Sequence, residues 1–146
     1  MTTLDDIASP EAQDDFQPLL NALFASAQQH MAKYGEFFPF AAAVSRDAEV
    51  GMTYASPSPD DDQPASADVI DACHDALVSK RDAIRAGAIV SDVRLRPPLE
   101  GDALRVDFEH VDGRALVALL QYAQRPGSEI EYGDLSILAG RRRVWT

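Results

Sequence analysis

A chain of 146 residues with 46% hydrophobic and 25% charged residues has single-domain size and is too apolar for intrinsic disorder; a domain this long buries about 68–70% of the surface its unfolded chain exposes. Asp and Glu number 24 against 13 Lys and Arg, and the net charge of -11 argues against nucleic acid and anionic membrane surfaces as partners. Cys73 is the sole cysteine, so this chain alone forms neither an internal disulfide nor a cysteine-based zinc site, which fits a reducing cytoplasm.

The opening MTTLDDIASPEAQDD has no basic or apolar leader pattern, and no run approaches the length of a membrane span. Residues 1–13 read as a loose start to a single domain spanning 1–146, and a cytoplasmic location is expected. The scarcity of lysine and asparagine beside abundant arginine suggests a GC-rich bacterial genome.

Apolar residues at Phe16, Leu19, Leu20, Leu23, Phe24, Ala27, Met31 and Tyr34 recur at helical spacing and predict a first helix over residues 16–34. Asp14 or Asp15 is its expected cap, Pro18 falls in its first turn, and Gly35 ends it. The run Phe37 to Val44, the polar Arg46-Asp47-Ala48-Glu49 and then Val50 to Tyr54 predict a hairpin, with Pro39 at the start of its first strand. Residues 55–66 carry Pro57, Pro59, Pro64 and Asp60-Asp61-Asp62 and read as an acidic, proline-rich loop.

A second helix is expected over residues 67–86, capped by Ser66, with Val69, Ile70, Cys73, Leu77 and Ile84 inward and Gly87 closing it. From Ala88 the period changes to two. Leu104, Val106 and Phe108 alternate with Arg105, Asp107 and Glu109, and Asp112-Gly113 suits a two-residue hairpin turn. That turn pairs Phe108 with Val117 and Val106 with Leu119, and puts Leu116 and Leu120 on the reverse face with Arg105. A last strand over 130–138 follows the Arg125-Pro126-Gly127-Ser128 turn, and residues 139–146 form a tail with Arg141-Arg142-Arg143 and Trp145. The order α-β-β-α-β-β-β-β predicts an α+β domain with one antiparallel sheet of about six strands and two helices packed on one face.

His30, His74 and His110 have no spacing that would aim two at one metal, and Cys73 and His74, adjacent on a helix, point apart. The carboxylates of Asp107, Glu109 and Asp112 lack a calcium-loop pattern, and Asp107 and Glu109, which share a strand face with Arg105, read as surface ion pairing. Phosphate loops and hydrolase or kinase signatures are absent, so no catalytic residue, metal or cofactor is assigned.

Gly35 to Ala41, Asp92-Val93-Arg94, Asp107 to Gly113, Gln121-Tyr122 and Glu131-Tyr132-Gly133 resemble segments of a group of small bacterial α+β proteins. The resemblance spans about residues 16–138 and implies an immunity or accessory role beside toxin systems. The element order also looks like that of profilin-like, roadblock and longin domains, with one strand more.

Two functions follow as expectations. The first is a non-catalytic protein-binding or self-associating module, a homodimer or the partner of another protein. It would act through an edge strand or a mixed sheet face bearing Leu116, Leu120 and Arg105. The second is a small-ligand domain or an enzyme without a motif, its pocket lined by Phe37, Phe38 and Phe40.

Overall fold

The computed structural model describes residues 10–57, 65–97, 100–124, 127 and 129–145. The acidic run Asp60-Asp61-Asp62 and most of the turn before the last strand lie outside the described residues. Two helices, α1 (Pro10–Tyr34) and α2 (Ser66–Ser79), accompany strands β1 (Phe40–Ser45), β2 (Val50–Thr53), β3 (Ile84–Arg94), β4 (Asp102–His110), β5 (Ala115–Ala123) and β6 (Glu131–Ala139). The strands form one antiparallel sheet in the order β2-β1-β3-β4-β5-β6. The expected α+β class, element order and six-stranded sheet are all present.

The helices lie on opposite faces of the sheet, not on one. Phe16, Leu19, Leu23 and Ala27 of α1 pack with Phe40, Ala42, Val90, Leu104, Val106 and Phe108, and the Phe16 ring meets Phe108 edge-on at 5.0 Å. Val69, Cys73 and Leu77 of α2 pack with Ala41, Ala43 and Ile89. Alternate residues of a strand point to opposite faces, so a strand apolar at every position needs cover on both. β1 and the first half of β3 are such strands, and residues 86–91 are buried without interruption. Gly87 lets α2 approach closely: a Cβ there would lie 3.2 Å from both Leu77 methyls.

α1 begins earlier than its apolar stripe, at Pro10, so residues 10–13 belong to a helix and Pro18 sits inside it on an exposed face. The lost N–H at Pro18 leaves a carbonyl that water can satisfy. The stop at Gly35, with φ of 76°, matches expectation. Burial of each large α1 side chain contributes about 1.5–3 kcal/mol, so Leu19→Ala would cost about 2–5 kcal/mol.

α2 ends at Ser79 rather than near residue 86, and its N-cap is Ala65, with no side-chain bond, rather than Ser66. Turn bonds from Lys80 N–H to the Leu77 carbonyl and from Ala83 N–H to the Lys80 carbonyl reverse the chain, and Ile84 already pairs with Ser45 in the sheet.

The β4–β5 hairpin is shifted by one residue from its expected register. His110 and Arg114 close a three-residue loop: His110 N–H donates to the Arg114 carbonyl at 2.8 Å and Gly113 N–H to the His110 carbonyl at 3.0 Å, with Gly113 at φ of 101°. An Asp-Gly pair suits this bulged loop as well as the two-residue turn, because both need a left-handed glycine. Phe108 therefore faces Leu116, and Asp107 faces Val117. A one-residue shift exchanges the two faces of β5 relative to β4.

Candidate functional site

The register separates the three residues expected to share an interface. Leu116 is 1% exposed in the core beneath α1, and Leu120 packs partly against that same core. Arg105 lies on the α2 face opposite Leu119. The mixed face exists, but its apolar members are Val117 and Leu119.

The three phenylalanines do not line a common cavity either. Phe40 is core, its ring 5.8 Å from Phe37, 6.0 Å from His30 and 5.4 Å from Tyr54. Phe37 packs at the core margin, and Phe38 is exposed. They close the end of the α1 core.

One buried polar network joins α1 to the sheet. Asp15, 4% exposed, accepts two bonds from Arg85, from Nε at 2.9 Å and Nη2 at 2.7 Å. Its Oδ2 is also 2.9 Å from His110 Nε2. The other ring nitrogen, Nδ1, lies 3.2 Å from both the backbone nitrogen and Oδ1 of Asp112. Asp15, expected as a cap, instead occupies the apolar stripe of α1. An acid one position before Phe16 and four before Leu19 was the visible signal. This network fastens α1 to β3 and β4.

On the opposite face a cleft of about 580 Å³ lies between α2, the uncovered half of the sheet and residues 139–144. Its polar lining comprises His74, Ser91, Arg105, Asp107, Glu109, Arg141 and Arg143. Arg105 donates to Asp107 through Nε and Nη2, each at 3.0 Å, a pair two positions apart on one strand. Glu109, 4% exposed, accepts N–H bonds from Arg143 at 2.9 Å, Val144 at 2.8 Å and Trp145 at 2.9 Å. The carboxylate thereby fixes the tail as one wall of the cleft and seats Val144, 1% exposed, in the α2 core.

Arg143 reaches Asp71 of α2 at 3.3 Å. His74 Nδ1 is buried without a hydrogen-bond partner among the described residues. Desolvation, reinforced by Arg143, pushes His74 below its ordinary pKa against the opposing pull of Asp107, Glu109 and Asp71. Cys73 points away into the α2 core, where burial raises its thiol pKa.

A smaller cluster lies at the far end of the α1 face. Tyr122 Oη donates to Asp92 at 2.6 Å, and its ring is 6.1 Å from Tyr132. Desolvation, with a lesser contribution from Asp102, raises the Asp92 carboxyl although the Tyr122 bond opposes it.

The sheet has two edges. β2 is four residues long, with Val50 and Met52 exposed near Tyr54. β6 is nine residues long, with Leu135 47% and Leu138 45% exposed. Pairing of Leu135 with Leu120 and of Leu138 with Val117 places these leucines on the α1 and α2 faces respectively.

Among the described residues no group of three His, Cys, Asp or Glu could hold a metal ion, and no helix is long and apolar enough to cross a membrane. No family model, curated protein or solved structure matches this chain.

Proposed function

We propose that this protein is a self-associating module in which β6 pairs antiparallel with β6 of a second copy, extending the sheet across a dyad. The observation that carries this reading is the β6 edge from Leu135 to Ala139, free of Lys and Pro, with opposite charges at the two ends of the strand. Natural edge strands are usually protected by lysine, proline, bulges or extreme shortness. β6 contains no Lys or Pro; its irregularity is a bulge at Gly133-Asp134, opposite Gln121, and residues 135–139 beyond it keep a regular register with β5.

Backbone alternation defines which groups are free. Gly140 N–H donates to the Ala115 carbonyl at 2.9 Å, so residues of that parity bond to β5. The N–H and C=O groups of Leu135, Ile137 and Ala139 are then directed to the open edge. The strand start carries Glu129, Glu131 and Asp134, and Arg141, Arg142 and Arg143 follow its end, all exposed. Antiparallel pairing brings each acidic start beside the partner's basic end, whereas parallel pairing opposes like charges. The overall charge of -11 on each copy resists association, but charges more than about 8 Å apart are largely screened at physiological salt. Edge pairing buries a small interface, on the order of 1,000 Å², which suits a reversible dimer.

Sedimentation across micromolar to sub-millimolar concentration tests this reading. A monomer–dimer equilibrium is expected. Leu135→Pro removes one outward N–H while leaving the β5 ladder intact, and Leu138→Lys charges the exposed edge; each should shift the equilibrium to monomer with an unchanged circular dichroism spectrum. A wild-type monomer throughout, or a dimer insensitive to both substitutions, would overturn it.

A further inference from the structure

Independently of self-association, we propose that the cleft beneath α2 binds a small organic anion, a carboxylate carried on an apolar body. Its volume of about 580 Å³ falls within the roughly 300–1,000 Å³ usual for small-molecule sites. Ile70, Leu77, Ile89, Val93 and Val117 supply the apolar lining such a body needs.

Three arginines line the cleft, of which Arg105 is paired with Asp107 and Arg143 with Asp71. Neither lining carboxylate projects unopposed charge into the space: Asp107 is held by Arg105, and Glu109 is surrounded by three tail N–H groups. Arg141 has no hydrogen-bond or ion-pair partner among the described residues and lines the mouth. A guanidinium fork is geometrically matched to a carboxylate and forms charge-assisted bonds about twice as strong as neutral ones.

The second observation is His74, in the wall of this same cleft, whose buried Nδ1 lacks a partner among the described residues. A buried polar atom left unpaired is unfavourable, and a ligand oxygen in the cleft that His74 lines offers its ring N–H an acceptor. The single guanidinium left without a partner, that of Arg141, fits a monoanion, and the apolar floor disfavours a strongly hydrated polyanion.

The test is an amide chemical-shift titration of the full chain with hexanoate, with hexanol and inorganic phosphate as separate probes. Saturable shifts with hexanoate are expected at His74, Ser91, Arg105 and Val117, with neither control reproducing them. Arg141→Ala, which removes an exposed side chain with no hydrogen bond or ion pair among the described residues, should weaken hexanoate binding about tenfold. The proposal is overturned by no saturable response to hexanoate, by an equal response to hexanol or phosphate, by shifts confined to other surfaces, or by unchanged affinity in Arg141→Ala. Leu135→Pro should leave hexanoate binding intact, which keeps this result separate from that of the β6 interface.

Discussion

Glu109→Ala should release the C-terminal tail from the sheet. Three amides, at 2.8 to 2.9 Å, converge on one carboxylate that is 4% exposed. Hydrogen bonds to a charged group contribute about 1.5–3 kcal/mol each, but the desolvation of Glu109 offsets much of that sum. Tail release also exposes Val144, whose burial contributes about 1.5–3 kcal/mol. Freed backbone amides can hydrogen-bond to water, which caps the loss, so a net destabilisation of about 3 kcal/mol is expected. At this chain length that lowers Tm by about 6–12 °C. Trp145 is the only tryptophan and its own amide is one of the three donors, so its fluorescence reports tail docking directly. Glu109→Ala should shift Trp145 emission to the red and increase its quenching by acrylamide. Glu109→Gln, with one acceptor oxygen and no charge, should fall between the two. Wild-type emission together with a Tm within about 1 °C of wild type would refute this reasoning.

Three further outcomes follow from groups described above. Asp15→Ala leaves His110 and Arg85 without their shared acceptor and should lower stability in urea by about 3–5 kcal/mol, more than Arg85→Ala, because Arg85 is partly exposed; equal losses would show that the network is not centred on Asp15. His74 is held below its ordinary value of 6.5, so the unfolded chain takes up a proton first as pH falls. Stability should decline below pH 6.5 until the folded form also protonates, and His74→Gln should flatten that decline in urea midpoints compared at about pH 7.5 and about pH 5. Asp92 has the opposite linkage: its raised carboxyl favours the protonated folded form, and a destabilising contribution appears as pH rises through the unfolded value of 3.8. Asp92→Asn keeps an acceptor for Tyr122 and should stabilise at neutral pH, with the gain vanishing below pH 3.8; a loss of stability at neutral pH would show that the Tyr122 bond to a charged oxygen dominates.

Elements governed by local physics were legible in the sequence. The apolar stripe from Phe16 to Met31 and the left-handed stop at Gly35 locate α1, and alternation in β4 defines that strand. Features that depend on distant partners were not. The unbroken apolar character of β1 means cover on both faces, and recognising it would have separated the helices. Asp112-Gly113 is compatible with two hairpin loops, and burial of His110 against Asp15, 95 positions away, accompanies the longer one. That one-residue difference moved Leu116 and Leu120 out of the mixed face and Val117 and Leu119 into it. The cleft is assembled from α2, strands β3 to β6 and the tail, which no single segment announces. Glu109 gives no local hint that it will hold the backbone of residues 143–145.

Residue-resolved amide hydrogen exchange of β6 tests self-association most directly. Dimerisation protects the outward amides of Leu135, Ile137 and Ala139, and dilution to monomer should restore their fast exchange. Ser136 and Leu138, bonded within the sheet, should remain protected at both concentrations and serve as internal controls. Fast exchange of Leu135, Ile137 and Ala139 at every concentration, with Ser136 and Leu138 still protected, would contradict pairing through this edge.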